Sequence, residues 1–169
     1  RLALVPFFVF CLFVPGTGWR LAALGVFGVA SITDHLDGEL ARRYGLITDF
    51  GKIADPIADK ALTGAALVSL SILHELPWWV TIVIIGRELG ITLLRLVLLR
   101  HAVIPASYGG KVKTVLQIAA IVLYILPWEI DVLRWVVMGA ATVVTVATGV
   151  DYVVRAVKLR QVARQARGE

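Results

Sequence analysis

Two adjoining stretches of an otherwise apolar chain carry the residues that could do chemistry. SITDHLDGELARRYG holds Asp34, Asp37, Glu39, Arg42 and Arg43, and DFGKIADPIADKAL holds Asp49, Lys52, Asp55, Asp59 and Lys60. At 3.6 residues per turn, positions 34, 37, 38, 41 and 42 share one stripe of a helix, and positions 51, 55 and 59 line one face of the next. A short link over 44–48 makes the two helices antiparallel neighbours, so Asp34, Asp37, Asp55 and Asp59 can converge on one pocket. Carboxylates that close cannot all stay ionised unaided, because like charge and desolvation each raise a carboxyl pKa. Either some are protonated or cations sit among them. Hard divalent ions such as Mg²⁺ take carboxylate oxygens and keep places for water and phosphate. A pair of them would bridge the oxygens of a phosphoryl or pyrophosphoryl group.

The rest of the stripe suits the same task. Gly38 lets a ligand or a neighbouring helix come close to the backbone, and Ala41 keeps that face shallow. Arg42 offers a planar fork to phosphate oxygens. Gly51 fits a similar steric part on the second helix, and Pro56 removes a backbone hydrogen bond there and bends it, helping to aim Asp55 and Asp59. His35 points off the stripe. Taken singly, Asp37 or Arg42 reads as a helix-end charge or a salt-bridge partner. Four carboxylates with Gly, Ala and Arg on matched stripes read as a site.

The elements that must position these residues are membrane helices. Of 169 residues, 59% are apolar and 17% charged, against about 45–50% and about 25% in an ordinary soluble domain, and the mean hydropathy is +0.83. A single core this small cannot hide so much apolar surface. A typical cytosolic enzyme, a disordered chain and a nucleic-acid-binding arm are excluded. The one cysteine, Cys11, excludes an intramolecular disulfide and a cysteine-based metal site. Polar or Pro/Gly-marked breaks leave six segments, near 1–14, 19–43, 49–73, 78–100, 107–126 and 130–158. Five reach the length of about 20 residues that a span needs. The first reads as the rest of a span, and since the chain opens on Arg1 its beginning is expected to lie upstream. Lipid leaves no water for unpaired backbone groups, so helices are expected, and no alternating barrel pattern appears. The expectation is an all-α integral membrane protein of six transmembrane helices, with residues 1–169 forming a single catalytic domain.

Orientation follows from Lys and Arg. With the 44–48 link in the cytoplasm, one side collects Arg1, Arg42, Arg43, Arg100, Lys111, Lys113, Arg155, Lys158, Arg160, Arg164 and Arg167, and the other only Arg20 and Arg134. Both ends and the acidic site then face the cytoplasm. The net charge of +5 mostly reflects this topology. The basic tail suits anionic headgroups too, but a positive-inside anchor is the plainer reading.

Asp34-x-x-Asp37-Gly38-x-x-Ala41-Arg42, then eight residues, then Gly51-x-x-x-Asp55-x-x-x-Asp59, resembles the complete signature of the CDP-alcohol phosphatidyltransferases, with every signature position matched. The six-segment pattern extends the resemblance over most of the chain. It implies that family's bundle and transfer of a phosphatidyl or similar group from a CDP-linked lipid to an alcohol, with CMP released. It also implies two divalent ions, Mg²⁺ or Mn²⁺, and a homodimer. Carried over by position, Asp34, Asp37, Asp55 and Asp59 would ligate metal. Asp59 would also take the proton of the attacking hydroxyl, and Asp37, Gly38, Ala41, Arg42 and Gly51 would line the CDP-lipid site.

The alcohol is read from two further segments. Arg87 and Glu88 lie halfway along their span, where an unpaired charge is costly; they pair with each other, with the acids, or with substrate. Gly109-Gly110-Lys111-Val112-Lys113-Thr114 opens the next. An anionic acceptor needs cations beside the metal site, and Arg87, Lys111, Lys113 and Lys52 can supply them; the plainer reading is a loop marker and an Arg–Glu pair. With DFGKIADPIADK, GREL and GKVKT, these segments look like the phosphatidylglycerophosphate synthase branch. That implies CDP-diacylglycerol and sn-glycerol 3-phosphate as substrates. The same chemistry on an inositol phosphate or a phosphatidylglycerol is a second reading, and an ion or proton transporter a third. Transport would string its acids along a path, and here they bunch at one end. In the last span, Asp151 either closes the site or forms a helix-end salt bridge. Gly139, Ala140, Thr145, Thr148 and Gly149 mark close helix packing, and Trp78, Trp79, Trp128 and Trp135 suit an interfacial belt.

Overall fold

The computed structural model describes the backbone of residues 3–44, 49–98 and 108–165, and the side chains of 3–33, 60–94 and 109–157. Six helices follow one another: α1 (Leu4–Phe13), α2 (Thr17–Tyr44), α3 (Asp49–Ile72), α4 (Trp78–Leu98), α5 (Tyr108–Ile125) and α6 (Asp131–Gln165). They fall on the six apolar segments, and the described residues contain no strand. At a rise of about 1.5 Å per residue, the 18 residues of α5 run ~27 Å and the 35 of α6 ~52 Å. A hydrocarbon core of ~30 Å is therefore matched in length by every helix except α1. By apolar content the picture is narrower. Among the described residues only Asp131–Val157 is long and apolar enough to cross a membrane on that ground alone.

Apolar residues recur at helical spacing and close a core: Phe8, Cys11 and Leu12 on α1, Ala23, Phe27 and Ala30 on α2, Leu62, Ala66, Leu67 and Leu70 on α3, Val80 and Ile84 on α4, Ala120, Ile121, Tyr124 and Ile125 on α5, and Met138 and Ala141 on α6. The rings of Phe8 and Phe27 meet at 5.6 Å. The outer surface is apolar as well. Val132 is 80% exposed and Val143 67%, with Ile32, Ile82, Leu93 and Val115 also exposed, while Ser69, Ser71, Thr81, Lys113, Gln117, Thr142 and Thr145 are buried. Water would penalise that arrangement and lipid rewards it. Two of the interior hydroxyls pair across helices: Ser71 and Thr81 lie 2.7 Å apart between α3 and α4.

Antiparallel order gathers the starts of α2, α4 and α6 at one end. All five tryptophans are there, at 19, 78, 79, 128 and 135, and all are exposed, as an interfacial belt requires. The α3–α4 link turns sharply, with His74 at φ 59° and the amides of Glu75 and Leu76 both donating to Leu70 O at 3.0 and 3.2 Å. Two arginines tie the same end. Arg20 pairs with Glu75 and donates to Tyr124 O at 3.2 Å. Arg134 donates to Leu123 O and Trp128 O at 2.9 Å each, and to Leu126 O, so one guanidinium satisfies carbonyls at and beyond the α5 C-terminus.

Candidate active site

The signature stripes occupy the C-terminal half of α2 and the N-terminal half of α3, at the end opposite the tryptophans. The side chains of Asp34, Asp37, Gly38, Ala41, Arg42, Gly51, Lys52, Asp55 and Asp59 lie outside the described residues. Among the described residues no three of His, Cys, Asp and Glu stand close enough to hold a metal ion.

The described part of the site begins one residue beyond the signature. Lys60 reaches α4, donating from Nζ to Glu88 O at 3.0 Å and to the Thr92 hydroxyl, with Glu88 Oε2 at 3.6 Å. Thr92 in turn donates to Glu88 O at 2.7 Å. Arg87 Nη1 lies 3.1 Å from Glu88 Oε1, and Lys113 Nζ from α5 donates to the same oxygen. Arg87 Nη2 donates to Thr148 Oγ1 on α6 at 3.1 Å. One carboxylate thus gathers cations from α3, α4 and α5, and one of these cations is fastened to α6.

Local spacing explains how the helices present these groups. Lys113 and Gln117 are four apart on α5, and Thr145, Thr148 and Gly149 fall on one face of α6. Gln117 Nε2 donates to Thr145 Oγ1 at 3.1 Å, one turn deeper than the ion cluster. Gly149 is the point of closest approach. A Cβ there would stand 3.0 Å from Arg87 Cγ and 3.2 Å from Arg87 Nε, so the bare backbone seats the arginine. Arg87 Nε is buried against it and has no acceptor among the described residues.

The two lysines expected to act together part company. Two residues apart on a helix, they face opposite ways: Lys113 is only 7% exposed and Lys111 is exposed. Arg87 and Glu88 do pair with each other, and the pair extends to Lys60 and Lys113. The sequence marks Lys60 only as one charge of its stretch and gives it no role, singles out neither Thr92 nor Gln117, and offers Thr148 and Gly149 only as packing residues. The midspan position of Glu88 was the signal that could have found the hub. Asp151 pairs with Arg155 at 2.9 Å, both exposed, an i,i+4 salt bridge along α6, which runs on to Gln165 and so places the pair within the helix and not at its end. Of the small residues on α6, Thr145 is buried but Gly139 and Ala140 are exposed, so those two pack against nothing within the described chain. The cleft of about 380 Å³ lined by Gly16, Arg20, Glu75, Trp128 and Arg134 is at the tryptophan end and belongs to no part of this site.

Comparison with known proteins bears on the chemistry. Residues 1–147 match the family model of the CDP-alcohol phosphatidyltransferases. A Mycobacterium tuberculosis (strain ATCC 25618 / H37Rv) protein named as a probable phosphatidylglycerophosphate synthase is 53% identical over 163 residues, covering 94% of this chain and 78% of its own. A Bacillus subtilis (strain 168) protein named CDP-diacylglycerol–glycerol-3-phosphate 3-phosphatidyltransferase is 38% identical over 174 residues, with coverages of 90% and 88%. An Escherichia coli (strain K12) protein of the same name is 41% identical over 127 residues, with coverages of 72% and 69%. With its signature intact, its six helices in order and relatives matched over most of its length, the chain is an enzyme of the CDP-alcohol phosphatidyltransferase family.

Proposed function

We propose that this enzyme transfers the phosphatidyl group of CDP-diacylglycerol to sn-glycerol 3-phosphate, giving phosphatidylglycerophosphate and CMP. The observation that carries the acceptor is the cation set of Lys60, Arg87 and Lys113, the last buried and the other two half-buried, which holds more positive charge than Glu88 balances. A phosphate monoester carries close to two negative charges at neutral pH. The names of the relatives point the same way. Lys60 directly follows Asp59, so the cations begin about 3.8 Å along the backbone from the expected base. Glycerol 3-phosphate has its free primary hydroxyl at the far end of a three-carbon chain from its phosphate, a reach suited to bridging the two.

The donor set of Asp34, Asp37, Asp55 and Asp59 is all carboxylate oxygen, which fits two Mg²⁺ or Mn²⁺ ions. When bound, such ions neutralise charge developing on the diphosphate and on the leaving CMP. Asp59 takes the proton from the acceptor hydroxyl as it attacks the phosphorus that carries the diacylglycerol. Gly38 and Ala41 leave room for the CDP moiety beside Asp37 and Gly51, and Arg42 holds its phosphates. Arg87 and Lys113 take the acceptor phosphate, with Lys52 and the exposed Lys111 at the approach. Residues 1–169 act as one catalytic domain crossing the cytoplasmic membrane several times, with the site towards the cytoplasm, and two copies form a homodimer. The excess of Lys and Arg at the signature end supports that orientation.

Purified protein given CDP-diacylglycerol, a divalent ion and a panel of alcohols should release CMP with glycerol 3-phosphate and not with glycerol, and should stop on chelation. Asp59→Asn should lose about 10²-fold or more in turnover, the scale of a lost general base, while still binding the CDP-lipid. CMP release only with an inositol phosphate or with phosphatidylglycerol would replace the acceptor. Full turnover of Asp59→Asn would remove that residue as the base.

A further inference from the structure

Glu88 is the one anion among the described residues that touches Lys60, Arg87 and Lys113 together. These three come from separate helices, and like charges left alone at such a point would repel one another and turn away. Arg87 has two holds, Glu88 Oε1 at 3.1 Å and Thr148 Oγ1 at 3.1 Å. Its Nε is buried against Gly149 and has no hydrogen-bond partner among the described residues to fix it. Lys113, deep on α5, meets the same Glu88 oxygen. Lys60 is anchored through the Glu88 backbone carbonyl and Thr92, with the carboxylate as a second contact.

We propose that Glu88 is the positioning residue of the acceptor site: it draws cations from three helices to one point, and its single charge leaves two of theirs for a dianionic phosphate monoester. It acts through Arg87 and Lys113 and does not itself touch substrate. The inference rests on the acceptor reading above, and its physical content is discrimination between phosphorylated and neutral alcohols.

Three variants, Glu88→Gln, Glu88→Asp and Gly149→Ala, test it in detergent-purified enzyme, with KM measured separately for acceptor and CDP-lipid. Glu88→Gln should raise the acceptor KM about tenfold or more, the scale of losing a charge-assisted contact, with kcat and the KM for CDP-lipid nearly unchanged. Glu88→Asp, keeping the charge, should recover part of that loss. Gly149→Ala changes no charge but pushes on Arg87, and should raise the acceptor KM about threefold, as a small displacement in a charged contact does. An unchanged acceptor KM in both Glu88→Gln and Gly149→Ala, with loss confined to folded yield or kcat, would reduce Glu88 to a structural ion pair. A lowered acceptor KM in Glu88→Gln would make it a competitor of the substrate, which also overturns the proposal. If Glu88→Gln does not fold, the Gly149→Ala result decides. Failure of the acceptor reading shows separately, in the wild type. If that enzyme prefers another phosphorylated alcohol, Glu88 is judged on the KM of that compound. If it prefers a neutral one, the proposal falls with the reading.

Discussion

Lys111 and Lys113 illustrate what a helix does to residues two apart. Both are basic and both open α5, yet one faces outward and the other donates to Glu88 inside the bundle. Lys113→Ala should therefore raise the acceptor KM about tenfold or more, since it removes a charged hydrogen-bond donor from a buried place and leaves Glu88 short of a partner. Lys111→Ala should have a clearly smaller effect, on the scale of a solvent-exposed charge. Steady-state kinetics on the two variants side by side checks the contrast. Equal effects would mean that substrate meets both lysines at the mouth of the site. In the linear string GGKVKT the two looked equivalent, because a sequence lists charges without saying which side of the helix is wet.

At the scale of elements, the end remote from the chemistry is held by arginines that close loops. Arg134 satisfies carbonyls of Leu123, Leu126 and Trp128, lies 3.3 Å from Asp131 and sits 5.9 Å above the Tyr124 ring. Arg134→Ala should leave those carbonyls short of a donor where the α5–α6 link turns. A destabilisation of about 1.5–3 kcal/mol is expected from losing hydrogen bonds to a charged group, read as a lower unfolding temperature in detergent. Both KM values should stay near wild type, because the ion cluster is at the other end of the helices. A changed acceptor KM would show that the two ends are coupled. In the sequence Arg134 was visible only as one of two positive charges on the sparse side of the membrane. Its capping role depends on a link that folds back over the helix end.

For the whole molecule, many large apolar residues of the described surface are exposed while several polar ones are buried, and the tryptophans gather at one end. Orientation can be read with single cysteines, because Cys11 is the one native cysteine and it is buried. In intact cells Glu129→Cys, at the tryptophan end, should react with a membrane-impermeant thiol reagent. Lys111→Cys should react only after the membrane is opened. The reverse pattern would invert the proposed topology and move the site to the outer face.

The order of six helices, the all-helical class and the family were legible in the chain alone. Apolar runs, their breaks and an eight-position signature are local patterns, and local patterns survive in one dimension. The ion cluster was not legible as a unit. Its members are 27 residues apart between Lys60 and Arg87, and 61 between Arg87 and Thr148, and only packing brings them together. That Arg87 is seated on Gly149, that Lys113 and not Lys111 points inward, and that Glu88 is the shared partner all depend on how four helices rotate about their axes. Rotation is set by the mutual fit of side chains from distant parts of the chain, so tertiary structure alone decides it.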